Sequence, residues 1–188
     1  SDVCRPFDVA RRGLSIGEGA GFALLEKVQS SRADVHLLGY GESSDAHHMS
    51  TPHPQGEGAS RAMREALNRA MLIPADIDYV NFHGTATPAN DRAEDHAVHE
   101  VFGGTTPCSS TKGFTGHTLG AAGITEAAVA LLSIEHGFIP GSPTTEHVDP
   151  QNRCNVVLAG RRGKVKRVMS NSFGFGGSNC VLLFGGAA

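Results

Sequence analysis

The sequence carries little net charge, no long apolar run and no paired cysteines, and each absence removes a class of protein. With 16 basic and 19 acidic residues the net charge is -3, which offers no broad basic surface to nucleic acid. No stretch is long and apolar enough to span a bilayer, and none reads as a signal peptide. The four cysteines, Cys4, Cys108, Cys154 and Cys180, share no disulfide or metal-ligand spacing, so the expected setting is reducing and cytoplasmic. No repeat or low-complexity tract interrupts the chain.

Glycine is what the sequence has in excess, at 24 of 188 residues. That content implies tight turns and close backbone approaches in a compact α/β architecture. A hydrophobic fraction of 39% and a charged fraction of 19% suit one globular domain with a sound core. Residues 1–33 read as the end of a preceding unit: a polar entry through Arg5-Pro6-Phe7-Asp8, a flexible Gly17-Glu18-Gly19-Ala20-Gly21, a buried strand over Phe22 to Glu26, and a linker from Gln29. Residues 34–188 read as a domain of their own. Val35 to Tyr40 begins its first strand, Ala59 to Met71 has helical spacing, and Asn90 or Asp91 suits the cap of a second helix. That helix carries Glu94, Ala97, Val98 and Val101 on one stripe, so a carboxylate travels inward with apolar neighbours. Pro107 to Thr111 reads as a strand and Thr118 to His136 as a long helix with Ala127, Ala130, Leu131 and Ile134 on one side. Lys166 to Phe173 and Asn179 to Phe184 read as strands around a glycine-rich turn. This order predicts a mostly parallel, mixed sheet covered by helices on both faces.

Two stretches organise the chain. Val80-Asn81-Phe82-His83-Gly84-Thr85-Ala86-Thr87-Pro88 and Ser109-Ser110-Thr111-Lys112-Gly113-Phe114-Thr115-Gly116-His117 each read as a strand breaking into a loop that delivers a histidine. In open α/β sheets the carboxyl ends of strands are where ligands and reactive groups collect.

These stretches, together with Asn90-Asp91, Glu94, Gly120-Ala121-Ala122-Gly123 and Asn171-Ser172-Phe173-Gly174-Phe175-Gly176-Gly177-Ser178-Asn179, resemble the carboxyl-terminal half of a chain-elongating β-ketoacyl synthase. Arg5-Pro6-Phe7-Asp8 and Gly17 to Gly21 resemble the segment preceding that half. The resemblance implies a thiolase-like α/β half and a decarboxylative condensation, in which an acyl group held on cysteine is attacked by the carbanion left when malonyl carrier protein loses carbon dioxide. It assigns His83 and His117 as two neutral N–H donors to the developing thioester enolate. It pairs Lys112 with Glu94, here expected as a buried ion pair behind the histidines. Thr85 and Thr87 are implied to bond the phosphopantetheine arm, Phe175 to gate the nucleophile, and Phe173, Asp45 and His48 to line the substrate entrance. No other cofactor and no metal is implied. The implied partners are acyl carrier protein, the amino-terminal half that supplies the nucleophilic cysteine, and a second copy in a homodimer; nucleic acid and membrane are not among them.

The family's nucleophilic cysteine has no counterpart in these residues. Cys108, in Cys108-Ser109-Ser110, belongs by position to a strand and reads as a buried thiol, as do the other three cysteines. His47, His48 and His53, and His96 with His99, lack closed ligand spacing and read as scaffold. The basic run Arg161 to Arg167 reads as a solvated turn. Ala86 stands where relatives often have glycine or serine. His117 in place of asparagine argues against chain-initiating enzymes, and a final turn without cysteine argues against degradative thiolases. Two readings stay open: part of an active elongating synthase, inactive without its other half, and part of a non-catalytic chain-length subunit.

Overall fold

The computed structural model describes residues 3–27 and 35–186; the expected linker and the boundary drawn after it fall outside them. In chain order the elements are β1 (Val35–Ser44), α1 (Glu57–Ala70), β2 (Tyr79–Asn81), α2 (Pro88–Phe102), β3 (Pro107–Ser109), a short α3 (Lys112–Thr115), α4 (Ala122–His136), β4 (Phe138–Ile139), β5 (Asn155–Val156), β6 (Arg161–Arg162), β7 (Arg167–Phe173) and β8 (Ser178–Gly186). Six strands form one sheet in the order β1-β8-β7-β2-β3-β5. β7, β2, β3 and β5 run parallel, and β8 is antiparallel to both β7 and β1. The reversal follows from the four-residue turn Gly174 to Gly177, too short for a crossover connection.

Side chains alternate across the sheet. Val80, Met169 and Leu183 face a core built with Ala62, Met63 and Ala66 of α1 and Ala97 and Val98 of α2, while Tyr79, Val168 and Phe184 face Ala127 and Ala130 of α4. Both faces are therefore covered, as the element order predicts. Small residues bring α1 close to β1: a Cβ on Gly41 would lie 1.8 Å from the Ala62 carbonyl oxygen, a clash that only glycine avoids.

Four expectations are corrected. α2 starts at Pro88 with Thr87 as its cap residue, ahead of Asn90 and Asp91, because the fixed φ of proline suits the first helical position. Residues 119–121 form a 3₁₀ turn entered through a left-handed Leu119, φ 52°, so α4 is shorter than expected. Leu131 faces outward, and Glu126 and Ser133 join Ala127 and Ala130 on the buried side of α4. Phe22 to Glu26 forms no strand: the stretch is exposed, with Phe22 101% accessible.

The residues before that stretch behave differently. Residues 3–17 form a strap across the carboxyl edge of the sheet, pinned by the Asp8–Val148 and Ile16–His117 bridges. Phe7 is fully buried in the α1/α2 core and its ring lies 4.3 Å from that of Phe82. The Asp8 carboxylate accepts the N–H groups of Ala10, Glu146 and His147.

Candidate functional site

β2 ends at Asn81, and the chain passes through Phe82 to His83 before Gly84, φ 40°, turns it toward α2. β3 ends at Ser109 and leads through Lys112 to His117. Adjacent parallel strands thus deliver both histidines to one edge of the sheet, with ring centroids 5.2 Å apart at 83°. The Phe173 ring, at the end of β7, stands 5.9 Å from His83.

Contacts around the two rings determine which nitrogen carries the proton. Lys112 Nζ lies 3.3 Å from His83 Nδ1. An ammonium group can only donate, so Nδ1 accepts and the proton resides on Nε2. The N–H of Leu119 donates to His117 Nδ1 at 3.3 Å, which leaves the proton of His117 on Nε2 as well. Burial first, then the Lys112 charge and His117, hold His83 well below the ordinary imidazole range. Burial, followed by Lys112, takes His117 to about 4. At neutral pH both rings are uncharged N–H donors, the form that stabilises developing negative charge without giving up a proton.

The lysine is fully buried, and its partner differs from the expected one. Lys112 Nζ binds Glu126 Oε1 on α4 and the His83 carbonyl oxygen. Glu94 is buried as its stripe predicts, but its two oxygens accept the N–H groups of His83 and Gly84, each at 2.8 Å, and Asn171 Nδ2 donates to it at 3.1 Å. The expected Glu94–Lys112 pair is therefore not formed. α2 and α4 lie on opposite faces of the sheet, and the lysine turns toward α4. Burial raises Glu94 to about 7, against the N–H donors of Gly84, Asn171 and His83. Burial likewise pushes Glu126 up, to about 7, against the pull of Lys112. Glu126 is the site residue that sequence reasoning missed. Its signal is that it alone is charged between Ala121 and Ile134.

The strap completes the second histidine loop. His117 donates its N–H to the Ser15 carbonyl at 2.7 Å, and its own carbonyl accepts the N–H of Gly17 at 3.1 Å. A Cβ on Gly17 would lie 1.9 Å from the Thr115 carbonyl oxygen, so this close seating requires glycine.

The remaining expected residues divide. Thr85 and Thr87 join hydroxyls at 2.8 Å beside His83. Asp45 ties the entrance loop to the final turn: its N–H donates to the Gly177 carbonyl, and its carboxylate accepts from Asn179 Nδ2 and from the N–H of His53. His48 is exposed and accepts the N–H of Ser50. Phe175 is 81% exposed; the aromatic ring beside His83 is that of Phe173. Cys4, Cys108 and Cys154 are buried and Cys180 is half-buried, and burial raises each thiol above its ordinary value. No helix among the described residues is long and apolar enough to cross a membrane.

Comparison with known proteins gives the family and the fold. Residues 35–146 match the family described as Beta-ketoacyl synthase, C-terminal domain. A mitochondrial 3-oxoacyl-[acyl-carrier-protein] synthase of Arabidopsis thaliana is 44% identical over 97% of this chain and 42% of its own length. The Staphylococcus aureus 3-oxoacyl-[acyl-carrier-protein] synthase 2 is 41% identical over 97% of this chain and 47% of its own. The solved ishigamide ketosynthase/chain length factor superposes with a TM-score of 0.95 at 38% identity, covering 100% of this chain and 48% of that one, so the thiolase-like half expected from the motifs is the fold observed. The chain spans about half the length of the curated relatives it matches. The match over residues 35–146, with the sequence identity and the fold shared with these proteins, makes the chain a member of the β-ketoacyl synthase family, corresponding to its carboxyl-terminal half.

Proposed function

We propose that this chain is the carboxyl-terminal part of an elongating β-ketoacyl-[acyl-carrier-protein] synthase and supplies its decarboxylation site. The observation that carries the reading is the pair of neutral imidazoles, each with Nδ1 engaged as an acceptor and Nε2–H free to donate. When a malonyl thioester loses carbon dioxide, the electron pair of the breaking C–C bond moves onto the thioester oxygen as an enolate. Two N–H donors from His83 and His117 stabilise that oxygen in the transition state. The carbanion carbon then attacks the acyl thioester held on a cysteine of the preceding half, and the cysteine thiolate leaves. Lys112 holds His83 through its carbonyl oxygen and Nδ1, and Glu126 balances the lysine charge. Glu94 grips the N–H groups of His83 and Gly84. The hydroxyls of Thr85 and Thr87 receive the phosphopantetheine arm of acyl carrier protein, which is substrate and not a resident cofactor. Phe175 gates the nucleophile supplied by the preceding half, and Phe173, Asp45 and His48 belong to the entrance.

The raised thiols of Cys4, Cys108 and Cys154 support the need for a nucleophile from elsewhere, since thiolate is the reactive form. A homodimer of the full protein, in a reducing compartment such as the cytoplasm, completes the proposal. The chain-length-subunit reading has the named pairing in the ishigamide structure in its favour, but a subunit without chemistry has no use for both histidines and the lysine that fixes one of them. The test is condensation of acyl and malonyl carrier proteins. The full-length protein should form a 3-oxoacyl product and the 188-residue chain should not; product from the chain alone, or none from the full protein, defeats the proposal.

A further inference from the structure

The Thr85–Thr87 loop has a second set of contacts that the condensation chemistry leaves unused. Asp91, on the first turn of α2, is fully buried. One of its carboxylate oxygens accepts the N–H of Ala86 at 3.2 Å and also the side-chain amide of Asn90; the other accepts the N–H of Phe7 at 2.8 Å. Both main-chain donors belong to non-glycine residues with positive φ, 64° at Ala86 and 60° at Phe7. That conformation is unfavourable for a residue with a Cβ and persists only where the surroundings enforce it. A single carboxylate therefore fixes two strained backbones that are far apart in sequence, one in the strap and one in the loop. The strap also provides the countercharge: the Arg11 guanidinium lies 3.7 Å from Asp91 while binding Asp149 and the Asp8 carbonyl. Two more contacts join the same parts, the stacking of Phe7 on Phe82 and the approach of Cys4 Sγ to the Thr85 carbonyl at 3.7 Å.

We propose that Asp91 is a positioning residue that couples the strap to the Thr85–Thr87 loop, so that seating of the strap sets the shape in which the loop receives a pantetheine arm. The coupling stands on geometry alone; the role of the arm rests on the function proposed above. With one oxygen on each N–H, the carboxylate is satisfied only when both backbones are in place. Asparagine offers one acceptor and one NH₂ group, so in Asp91→Asn one of the two N–H groups faces a donor.

Two measurements on the full-length protein separate the coupling from the arm. The first perturbs the strap and reads the loop by amide hydrogen exchange. Arg11→Gln changes a strap residue that touches neither Ala86 nor its loop but removes the strap's bond to Asp149 and its charge beside Asp91, and the Ala86 amide should exchange about tenfold faster, as expected when a bond to a charged group is weakened, with the β2 amides unchanged. Ala86 exchange at the wild-type rate in Arg11→Gln overturns the coupling, whether or not Asp91→Asn folds. The second reads Asp91→Asn in the decarboxylation of a malonyl-pantetheine thioester. KM should rise about tenfold with kcat within about twofold, the pattern of lost uniform binding. Adding Ala86→Gly, which allows positive φ without a steric penalty, should return KM toward wild type. A fall in kcat at constant KM, or no recovery with glycine, identifies a general loss of stability and refutes positioning. Faster Ala86 exchange with an unchanged KM would retain the coupling and count against the assignment of the arm to this loop.

Discussion

Breaking the Lys112–Glu126 pair tests how the site is held more sharply than any other substitution. Lys112 and Glu126 have side chains 1% and 3% accessible, so neither charge can turn to water when its partner is removed. Glu126→Leu leaves the ammonium with the His83 carbonyl and Nδ1 as its neutral neighbours, and removing one member of a buried pair costs about 3–5 kcal/mol. For a chain of this size that corresponds to a drop in Tm of about 6–20 °C. Lys112→Met should cost a similar amount. The double variant should recover most of the loss, because a buried pair replaced by apolar groups of similar volume is close to neutral. Urea unfolding at pH 8, where Glu126 is ionised, should give a Lys112–Glu126 coupling of about 5 kcal/mol or more in the double-mutant cycle, because two costly single changes lead to a double change that is close to neutral. The same cycle with Glu94→Leu should give about 0.5 kcal/mol or less, since Glu94 and Lys112 meet only through the backbone of His83. A Glu94–Lys112 coupling equal to or larger than the Glu126–Lys112 value would refute this account of the site.

Other outcomes follow from burial and charge. Glu94 titrates near 7 when folded and about 4.5 when unfolded; the folded state then holds the proton more tightly, so stability falls as pH rises from about 4.5 to 7. Glu94 accounts for about 3 kcal/mol of that fall, and Glu126, raised to about 7 as well, adds to it over the same range; Glu94→Gln should reduce the slope, and an unchanged slope would contradict the burial argument. In a ¹⁵N NMR titration, His117 should change charge near 4 with Nε2 protonated above that pH, and a midpoint near the free imidazole value would be inconsistent with its surroundings. Phe7→Ala should destabilise the chain by about 3–5 kcal/mol, whereas Phe22→Ser on the exposed stretch should shift stability by less than about 0.5 kcal/mol; equal effects would mean that the strap is not part of the core.

How far the sequence could be read depended on whether a feature was local. The turns after β2 and β3 are marked by glycine beside β-forming residues, so the histidine loops were legible as loops. Helical spacing gave the buried face of α2 and with it the burial of Glu94. It could not give the partner, because a stripe defines an inward direction and not what lies across the sheet. Glu126 was hidden for a related reason: α4 is apolar on most of its circumference, so no stripe marked the side that meets the sheet. Asp91 read as a helix cap because its bond to Phe7 spans 84 residues of chain, a distance no local pattern encodes. The strap was judged by its composition, polar and glycine-rich, whereas its Phe7 is anchored by a fold-level return to the sheet edge. Phe22 to Glu26 has the apolar residues of a strand but no neighbouring strand among the described residues to complete it.

The central claim is that His83 and His117 act together as neutral donors to the enolate formed on decarboxylation. The direct measurement is the rate of carbon dioxide release from malonyl carrier protein by the full-length protein and by its His83→Ala and His117→Ala variants, with acylation of the nucleophilic cysteine followed in parallel. Each variant should lose about 10²–10³ in decarboxylation rate, the usual consequence of removing one such donor, while cysteine acylation is less affected. Decarboxylation at the wild-type rate in both variants would contradict the account.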